Sequence, residues 1–326
     1  MAIDLAGYDH ILIGMSGGKD CIASFLTLLE LGADPRRIEF HHHDVDGRAR
    51  RLFDWPITTG YCAGLAESFQ VPLHLSWREG GLRRELLRDR TPTAPVQFET
   101  ADGRIETVGG NGPPGTRLRF AQVSADLSVR WCSAVAKIDV MRSLICNSPR
   151  FLGARVLVVT GERAEESPSR ARYAPFEPHR TDTRDGPRRR RHVDHFRPVH
   201  ALREAEVWDL LRRHGVVPHV AYQLGFGRVS CMHCIFASAN QLATLRLIDP
   251  GIFEELARYE AVFGCTIKRN IALHALADRG RPYQATLDRP DLVALALSRN
   301  WTGPSRLRPE AWTLPAGAFG ETNGPT

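Results

Sequence analysis

The sequence predicts an α/β protein with a doubly wound, mostly parallel sheet, and three observations carry this prediction. Residues 11–13 form a short apolar run, which a glycine-rich turn follows. After this turn, residues 21–31 have apolar side chains at helical spacing. Residues 38–43 have a strand pattern, and residues 55–69 have a helical one. Residues 155–160 form a strongly β-branched strand. Because strands that alternate with helices form parallel sheets, we expect helices on both faces.

Two further segments define the predicted organisation of the chain. Residues 78–119 are rich in proline and glycine, so we expect a loop insertion with a mobile tip. Residues 241–263 have a helical pattern, which predicts a helical C-terminal region. We divide the chain into a domain over residues 1–240 and a helical extension over residues 241–326 whose small-residue end is expected to fray.

Composition and charge limit the classes of function. Hydrophobic residues make up 43% and charged residues 25%, which excludes a collagen-like or fully disordered chain. No apolar run approaches the roughly 18 residues that cross a bilayer, and the N-terminus lacks the pattern of a secretion signal. We therefore expect a soluble, cytoplasmic protein with no membrane partner. The net charge of +6 favours an anionic partner such as a nucleotide or a nucleic acid.

The cysteines suggest metal or redox chemistry. Seven is an odd number, and a reducing compartment does not favour a disulfide framework. Cys62 and Cys146 lie in helical patterns and are expected to be buried as small hydrophobic residues.

Residues 16–21, Ser-Gly-Gly-Lys-Asp-Cys, lie between the first predicted strand and the first helix. Two adjacent glycines let backbone N–H groups turn inward and hold an anion at a helix N-terminus. Ser16 adds a hydroxyl donor and Lys19 a positive charge. The segment is not a Walker A loop, because that motif needs four residues before Gly-Lys and a following Ser or Thr. Here only three residues separate Gly14 from Gly18, and Asp20 follows Lys19.

This segment resembles the PP-loop of the adenine-nucleotide α-hydrolase superfamily, whose pattern is Ser-Gly-Gly-x-Asp-Ser. The resemblance implies a loop that grips the β,γ-pyrophosphate of ATP. Cleavage then falls at the α-phosphate and leaves a substrate activated with AMP. Cys21 stands where the family has its final serine. Since a thiol is a weaker donor than a hydroxyl, one phosphate contact differs from the family pattern.

His41, His42, His43 and Asp44 follow the second strand, at the edge of the sheet where a ribose or an adenine lies in doubly wound folds. Successive side chains of a strand point to opposite faces, so at most two of the three histidines can converge on a metal. We expect Asp44 or His43 to position the substrate, with a metal site as the alternative.

Residues 161–172 follow the β-branched strand, and Arg163, Arg170 and Arg172 can bind phosphate or sulfate oxygens through their guanidinium groups. The segment resembles the Gly-x-Arg-x-x-Glu-Ser-x-x-Arg pattern of phosphoadenosine phosphosulfate (PAPS) reductase-like proteins. A helix, a Pro-x-x-x-Tyr turn, a glycine-containing stretch and Cys-x-x-Cys then follow in the order of that family. The resemblance extends over residues 8–240. The alternative is a solvated helix with internal ion pairs.

Together these motifs predict a nucleotide site in the domain over residues 1–240. The expected nucleotide contacts are Ser16, Gly17, Gly18, Lys19, Cys21, His43, Asp44, Gly161, Arg170 and Arg172.

Cys231 and Cys234 form the Cys-x-x-Cys pair and need further ligands to hold a metal. Family members with a [4Fe–4S] cluster add an upstream cysteine or cysteine pair. Here Cys132 is a single upstream cysteine, so the fourth ligand is open, and Cys265 is a candidate by sequence order. Thiolates select iron–sulfur clusters or zinc, and free thiols are the third alternative.

Arg188, Arg189, Arg190 and Arg191 end a basic loop. Such a run is either solvated or attracts a polyanion such as a nucleic acid, and both interpretations remain open.

Three functions fit these patterns. The first is an ATP pyrophosphatase that adenylates a substrate for sulfur transfer and resembles the subunits with that activity in DNA phosphorothioation and tRNA thiolation. Lys19 and Arg163 would then neutralise pyrophosphate, Asp20 would hold Mg²⁺, and a sulfur-donor protein is a candidate partner. The second is a reductase of PAPS or adenosine phosphosulfate. Its expected cysteine nucleophile, in a Glu-Cys-Gly-hydrophobic-His segment near the C-terminus, is missing here. The third is a nucleotide-binding component without turnover, which Cys21 keeps open.

Overall fold

The computed structural model describes residues 3–124 and 126–321, and within them the chain builds an eight-stranded sheet. The strands are β1 (His10–Gly14), β2 (Ile38–Asp44), β3 (Leu73–Arg78), β4 (Val96–Glu99), β5 (Ile105–Val108), β6 (Arg155–Val159), β7 (Phe176–Pro178) and β8 (His192–Phe196). Their order across the sheet is β5-β4-β3-β2-β1-β6-β8-β7.

The centre of the sheet is parallel, as the sequence predicts. Strands β3, β2, β1, β6 and β8 are parallel to one another, whereas β4, β5 and β7 add antiparallel strands at the two edges. From β1 the chain proceeds outward through β2 and β3 to the edge strands β4 and β5, and it then crosses to β6 on the other side of β1. The gap between the carboxyl ends of β1 and β6 is therefore the point where the strand order reverses, and ligands of open α/β sheets bind at such points.

Helices surround this sheet and continue to the C-terminal region. They are α1 (Lys19–Glu30), α2 (Thr58–Phe69), α3 (Gly81–Leu86), α4 (Trp131–Ser133), α5 (Asp139–Asn147), α6 (Pro168–Ala171), α7 (Glu204–Arg213), α8 (Val220–Gln223), α9 (Ala239–Ile248), α10 (Pro250–Phe263), α11 (Leu273–Ala277), α12 (Gln284–Leu287) and α13 (Pro290–Ala296). A π-helical turn, Ala134–Ile138, joins α4 to α5. Among the described residues, no helix is both long and apolar enough to cross a membrane.

Alternate side chains of each strand bury opposite faces of the sheet. Ile11 and Ile13 of β1 belong to an apolar cluster with Phe25 of α1, whereas Leu12 belongs to a second cluster with Val140 of α5. Full burial of one such side chain stabilises the fold by about 1.5–3 kcal/mol. Both faces are therefore covered by helices, and the doubly wound α/β class is confirmed.

The segment over residues 78–119 is more ordered than the predicted loop insertion. It contains α3 and a hairpin of β4 and β5 that extends the sheet beyond β3. Val96 and Phe98 of β4 are buried in the cluster around α5. Four-residue strands between proline and glycine clusters carry too few side chains for the alternation to stand out in the sequence.

The C-terminal region packs on the rest of the chain. Phe253 and Leu256 of α10 share an apolar cluster with Leu52 and Phe53, so the boundary at residue 240 remains a prediction. The chain end differs from the expected frayed tail as far as it is described, because the Gly317 N–H donates to the Tyr222 carbonyl over 2.7 Å. Residues 322–326 lie outside the described residues.

Candidate active site

A cavity of about 900 Å³ lies at the carboxyl ends of β1, β2, β6 and β8. Gly14, His43, Thr160 and His195 bring these four strand ends to its wall. The cavity therefore includes the point between β1 and β6 where the strand order reverses. Its volume is near the upper end of the roughly 300–1,000 Å³ of small-molecule sites. It has room for a nucleotide and part of a second substrate.

The predicted phosphate loop forms one wall of this cavity and leads directly into α1. Gly17 has a φ of +76°, a conformation that side chains strongly disfavour. Gly18 is the N-cap of α1 without a side-chain cap, so the first-turn N–H groups are the donors that an anion would meet. The Lys19 N–H already donates to the Tyr222 hydroxyl over 3.0 Å. Tyr222 thus holds the second half of the domain against the loop.

Cys21 ties the loop to the first turn of α1. Its thiol donates to the Gly18 carbonyl over 3.0 Å, and its sulfur accepts the Ser16 N–H over 3.4 Å. Burial raises the pKa of the Cys21 thiol, so the group is neutral at pH 7. The cysteine in the serine position of the family pattern therefore closes the loop internally.

Gly161 lets the end of β6 approach the start of α1. A Cβ atom at this position would lie 2.5 Å from the Asp20 carbonyl carbon and 2.8 Å from the Cys21 nitrogen. These neighbours are backbone atoms of a helix and cannot move cheaply. Only glycine fits there, and this close contact sets the distance between the two segments that line the cavity.

The three predicted catalytic residues lie together. The Arg163 Nε donates to Asp20 Oδ1 over 2.6 Å, and Lys19 Nζ lies 3.5 Å from Asp20 Oδ2. Lys19 is only 2% exposed, and its ammonium also lies 3.3 Å from Glu204 Oε1 of α7. Arg163 is equally buried and also pairs with Glu165. Two buried cations are therefore oriented by three carboxylates beside the phosphate loop.

These contacts keep the charges in place at neutral pH. Burial lowers the pKa of Lys19, but Tyr222 and the carboxylates of Asp20 and Glu204 outweigh it, so the pKa lies above its ordinary value. Burial raises the pKa of Asp20, and the charges of Lys19 and Arg163 more than offset this, so the pKa lies below its ordinary value. Lys19 and Asp20 are both ionised.

The histidine and aspartate after β2 have different roles. His43 lines the cavity, its Nδ1 lies 2.7 Å from Ser76 Oγ, and burial lowers its pKa to about 3. Asp44 instead accepts the backbone N–H groups of residues 46, 47 and 48, so its carboxylate holds the turn that follows β2. His41 is turned toward Glu39, with His41 Nε2 3.3 Å from Glu39 Oε2. Only His43 of the two predicted substrate-positioning residues faces the cavity.

The arginines after β6 are also separated. Arg170 lines the cavity and pairs with Glu166, whereas Arg172 is exposed and is absent from the cavity wall. Two residues along a helix are about 200° apart, so α6 cannot direct both side chains to one side.

A polar network on the opposite wall was missed in the sequence. Arg197 Nη2 lies 3.0 Å from His195 Nδ1, and an arginine can only donate, so the neutral ring carries its proton on Nε2. That nitrogen lies 2.7 Å from Thr160 Oγ1, which donates to Glu162. Burial and the Arg197 charge lower the pKa of His195 to about 4. The strand pattern of β8 is weak in the sequence because β8 follows a segment dominated by arginines.

Lys137 is a second residue whose role the sequence does not show, although it lies one helical turn after Cys132. The π-helical turn places it on the cavity wall, and π-turns frequently occur at functional sites. The Cys231 sulfur is the main group that raises the pKa of Lys137, with burial opposing it. Lys137 therefore lies on the cavity wall close to Cys231, which lines the same cavity.

The four candidate metal ligands pack against one apolar cluster. Cys132, Cys231, Cys234 and Cys265 all contact the cluster around Trp131. Burial raises the pKa values of the Cys132 and Cys231 thiols, and the nearby Cys234 adds to both shifts. In the described part of the chain, no group of three or more His, Cys, Asp or Glu side chains is arranged to hold a metal ion.

The remaining sequence candidates are divided between surface and interior. Arg188, Arg189 and Arg190 are exposed, but Arg191 is buried and donates to the Cys146 carbonyl over 2.6 Å near the end of α5. Arg191 is therefore not available to a polyanion. Cys62 is fully buried as predicted, and Cys146 is half-buried.

The sequence matches one family model and one curated relative. Residues 117–237 match the family model of the phosphoadenosine phosphosulfate reductase domain. An uncharacterised 37.8 kDa protein in the gpa 5′ region of Escherichia phage 186 is 27% identical over 276 residues, which cover 79% of this chain and 76% of that protein.

Two solved structures of Candida glabrata FMN adenylyltransferase also match. One contains FAD and inorganic pyrophosphate, with 12% identity, and the other contains FMN and the ATP analogue AMPCPP, with 11% identity. Both have a TM-score of 0.36 and cover 68% of this chain. The present chain spans about half of their length, 55% and 54%.

The matched segment contains Cys132, Arg163, Tyr222 and the Cys231–Cys234 pair, which carry part of the predicted resemblance, whereas the phosphate loop over residues 16–21 lies outside it. The chain is therefore similar over residues 117–237 to the phosphoadenosine phosphosulfate reductase domain family, and this match confirms the predicted resemblance over those residues.

Proposed function

We propose that the protein is an ATP pyrophosphatase that transfers AMP to a substrate oxygen, so that sulfur can later displace the AMP. The observation that carries the proposal is the glycine loop at the N-terminus of α1, beside the buried Lys19, at the strand-order reversal of the sheet. The predicted cytoplasmic location agrees with this chemistry, since thiols stay reduced there.

The proposed reaction is a task of positioning and charge neutralisation. The substrate oxygen attacks the α-phosphorus, and the bond from the α-phosphorus to the bridging oxygen breaks, so that pyrophosphate leaves with the electron pair. The loop N–H groups and Lys19 would bind the β- and γ-phosphates where this negative charge develops. Arg163 would share the charge. Because both cations are held by carboxylates, they need little reorganisation when the nucleotide arrives.

The predicted role of Asp20 as a Mg²⁺ ligand does not fit this arrangement. Mg²⁺ prefers carboxylate oxygens, but Asp20 Oδ1 accepts a hydrogen bond from Arg163 and Asp20 Oδ2 faces Lys19. A metal at this carboxylate would have to displace two buried cations. We therefore assign Asp20 to the orientation of Lys19 and Arg163, and we derive no step through Mg²⁺.

The family match also supports a second candidate, a sulfonucleotide reductase. Such an enzyme needs a cysteine nucleophile, and the last cysteine of the chain is Cys265, half-buried against an apolar cluster. The phosphate loop and its buried cations are more directly explained by ATP.

Product analysis tests these candidates directly. The purified protein is incubated with ATP in a Mg²⁺ buffer, and separately with PAPS or adenosine phosphosulfate and a thiol. We expect AMP and pyrophosphate from ATP, loss of both in Lys19→Met, and retention in Arg142→Met, which changes an exposed arginine of α5. Sulfite from the second reaction would instead identify the reductase, and no product from either would leave nucleotide binding as the function.

We further propose that Cys132, Cys231, Cys234 and Cys265 hold a [4Fe–4S] cluster. The support for this proposal is the chemistry of the donors, because thiolates select iron–sulfur clusters and all four side chains border one apolar cluster. Each cysteine binds a different iron, so the ligands are further apart than around a single ion. A bound cluster would supply a redox-active anchor between α4 and the Cys231–Cys234 segment. The protein's own contribution is to hold Lys137 on the cavity wall close to Cys231.

The cluster proposal has a spectroscopic test. Protein purified without oxygen should show a broad visible charge-transfer band and contain iron. Cys132→Ser should remove both, whereas Cys146→Ser, which changes a cysteine outside the group, should retain them. Stoichiometric zinc without the visible band, or an unchanged band in Cys132→Ser, would overturn the assignment.

The exposed arginines of the basic loop are candidate contacts for the acceptor. A nucleic acid would meet the exposed Arg188, Arg189 and Arg190, whose charge suits phosphate contacts. A sulfur-donor protein would act after adenylation, when the AMP group has to be displaced.

A further inference from the structure

Arg130, immediately before α4, has buried donors that no described residue of the chain satisfies. Its Nε and Nη1 atoms are buried, and among the described residues neither has a hydrogen-bond partner. No carboxylate forms an ion pair with it in this part of the chain. A buried charged donor without a partner is costly, and native proteins usually satisfy such groups. The arrangement therefore points to a partner outside the described part of the chain, such as a bound ligand.

Two further arginines lie around Arg130. Burial lowers the pKa of the Arg130 guanidinium, the Cys132 sulfur raises it, and the positive charges of Arg170 and Arg228 lower it again. Arg170 and Arg228 line the cavity, together with Tyr173. Glu166 offsets the charge of Arg170 by an ion pair. Arg170 and Arg228 thus lie on the cavity wall near Arg130, whose Nε and Nη1 have no hydrogen-bond partner among the described residues.

We propose that Arg130, Arg170 and Arg228 bind a tetrahedral oxyanion, a phosphate or sulfate group carried by the second substrate. Guanidinium groups bind such anions through paired N–H donors, which the unpaired Nε and Nη1 of Arg130 offer. Assigning the anion to the second substrate rests on the proposed function.

The three arginines lie on segments other than the phosphate loop, where the triphosphate of ATP is proposed to bind. The loop cations Lys19 and Arg163 have their own carboxylates, so they form a self-contained pair at the start of α1. Arg130 and Arg228 belong instead to the segments that carry Cys132 and Cys231. The oxyanion site is therefore on the cysteine side of the cavity, where an acceptor can lie next to the nucleotide.

Calorimetric titration of the full chain with inorganic sulfate tests the proposal, with and without the non-cleavable analogue AMPCPP. We expect sulfate to bind in the presence of the analogue, and Arg130→Gln to weaken sulfate binding by about tenfold or more. Arg142→Gln is the control, since it removes an exposed arginine of α5 that is absent from the cavity wall, and it should leave sulfate binding unchanged. Arg228→Gln provides a second variant should Arg130→Gln fail to fold.

The source of the oxyanion is identified by competition. A short single-stranded oligonucleotide would identify a nucleic-acid phosphate if it displaces sulfate from the wild type but does not displace sulfate from the Arg188→Gln variant. Sulfate binding that inorganic phosphate displaces and the oligonucleotide does not would identify a small phosphorylated or sulfated acceptor. Both outcomes support the site.

Two results would overturn it. Sulfate binding that is equal in Arg130→Gln and wild type would remove the arginines from the site, and complete competition between sulfate and AMPCPP would return the anion to the phosphate loop. Neither depends on turnover of ATP. Arg130-dependent sulfate binding in a protein that makes no pyrophosphate would refute the proposed function alone, and pyrophosphate formation without such binding would refute this inference alone.

Discussion

Replacing Lys19 with methionine should separate the structural role of this residue from its role in the reaction. The variant keeps the length of the side chain and removes its charge. Glu204 Oε1, a buried oxygen that accepts no hydrogen bond in the described structure, then loses the ammonium that lies 3.3 Å away. Asp20 keeps its bond to Arg163. The main loss is therefore the pair between Lys19 and Glu204.

The size of the effect follows from the burial of this pair. The side chains of Lys19 and Glu204 are 3% and 17% exposed. With an effective dielectric constant of about 20, two unit charges at this distance attract each other by about 5 kcal/mol. Breaking a buried pair by removing one partner typically costs about 3–5 kcal/mol. We expect Lys19→Met to lower the free energy of unfolding by about 3 kcal/mol or more.

A double-mutant cycle isolates the interaction. Urea unfolding is measured for the wild type, Lys19→Met, Glu204→Gln and the double variant, and ATP turnover is measured for each. The double variant should be less destabilised than the sum of the single variants by about 1–3 kcal/mol, while its turnover stays absent because the loop cation is missing. Additive effects within about 0.5 kcal/mol, or restored turnover in the double variant, would refute the reasoning.

Three further predictions concern the cavity wall. Tyr222→Phe removes the acceptor of the Lys19 N–H, and we expect urea unfolding to show a loss of about 1–3 kcal/mol; unchanged stability would contradict this. Gly161→Ala places a Cβ against helix backbone and should cost about 2 kcal/mol or more by the same assay, whereas Gly112→Ala, with open space around it, should stay within about 0.5 kcal/mol. His195 has a pKa of about 4 in the fold against 6.5 ordinarily, so the unfolded chain binds its proton first as the pH falls. Its contribution to stability is complete above pH 6.5 and declines by about 1.4 kcal/mol per pH unit toward pH 4. His195→Gln should reduce the slope of stability against pH by that amount, and an unchanged slope would exclude this titration.

Local patterns predicted much of the architecture correctly. The strands β1, β2 and β6 and the helix after the phosphate loop follow from apolar periodicity, because each buries a face whose spacing matches its own geometry. The phosphate loop was predicted because its glycines, hydroxyl and lysine are adjacent in the sequence. The hairpin of β4 and β5 and the strand β8 were missed, since their short apolar patterns lie among glycines, prolines and arginines.

The candidate site was predicted where neighbouring residues define it, and only the tertiary structure decided its long-range part. Ser16 to Cys21 are adjacent in sequence, so their joint role can be inferred from one motif. Glu204 reaches Lys19, and Arg197 directs His195, through helix and strand packing that no short pattern encodes. A sequence states which side chains carry charge and which faces are apolar. Which distant charges meet, and which buried donors, such as those of Arg130, have no partner in the described part of the chain, depends on the three-dimensional packing of segments far apart in the chain.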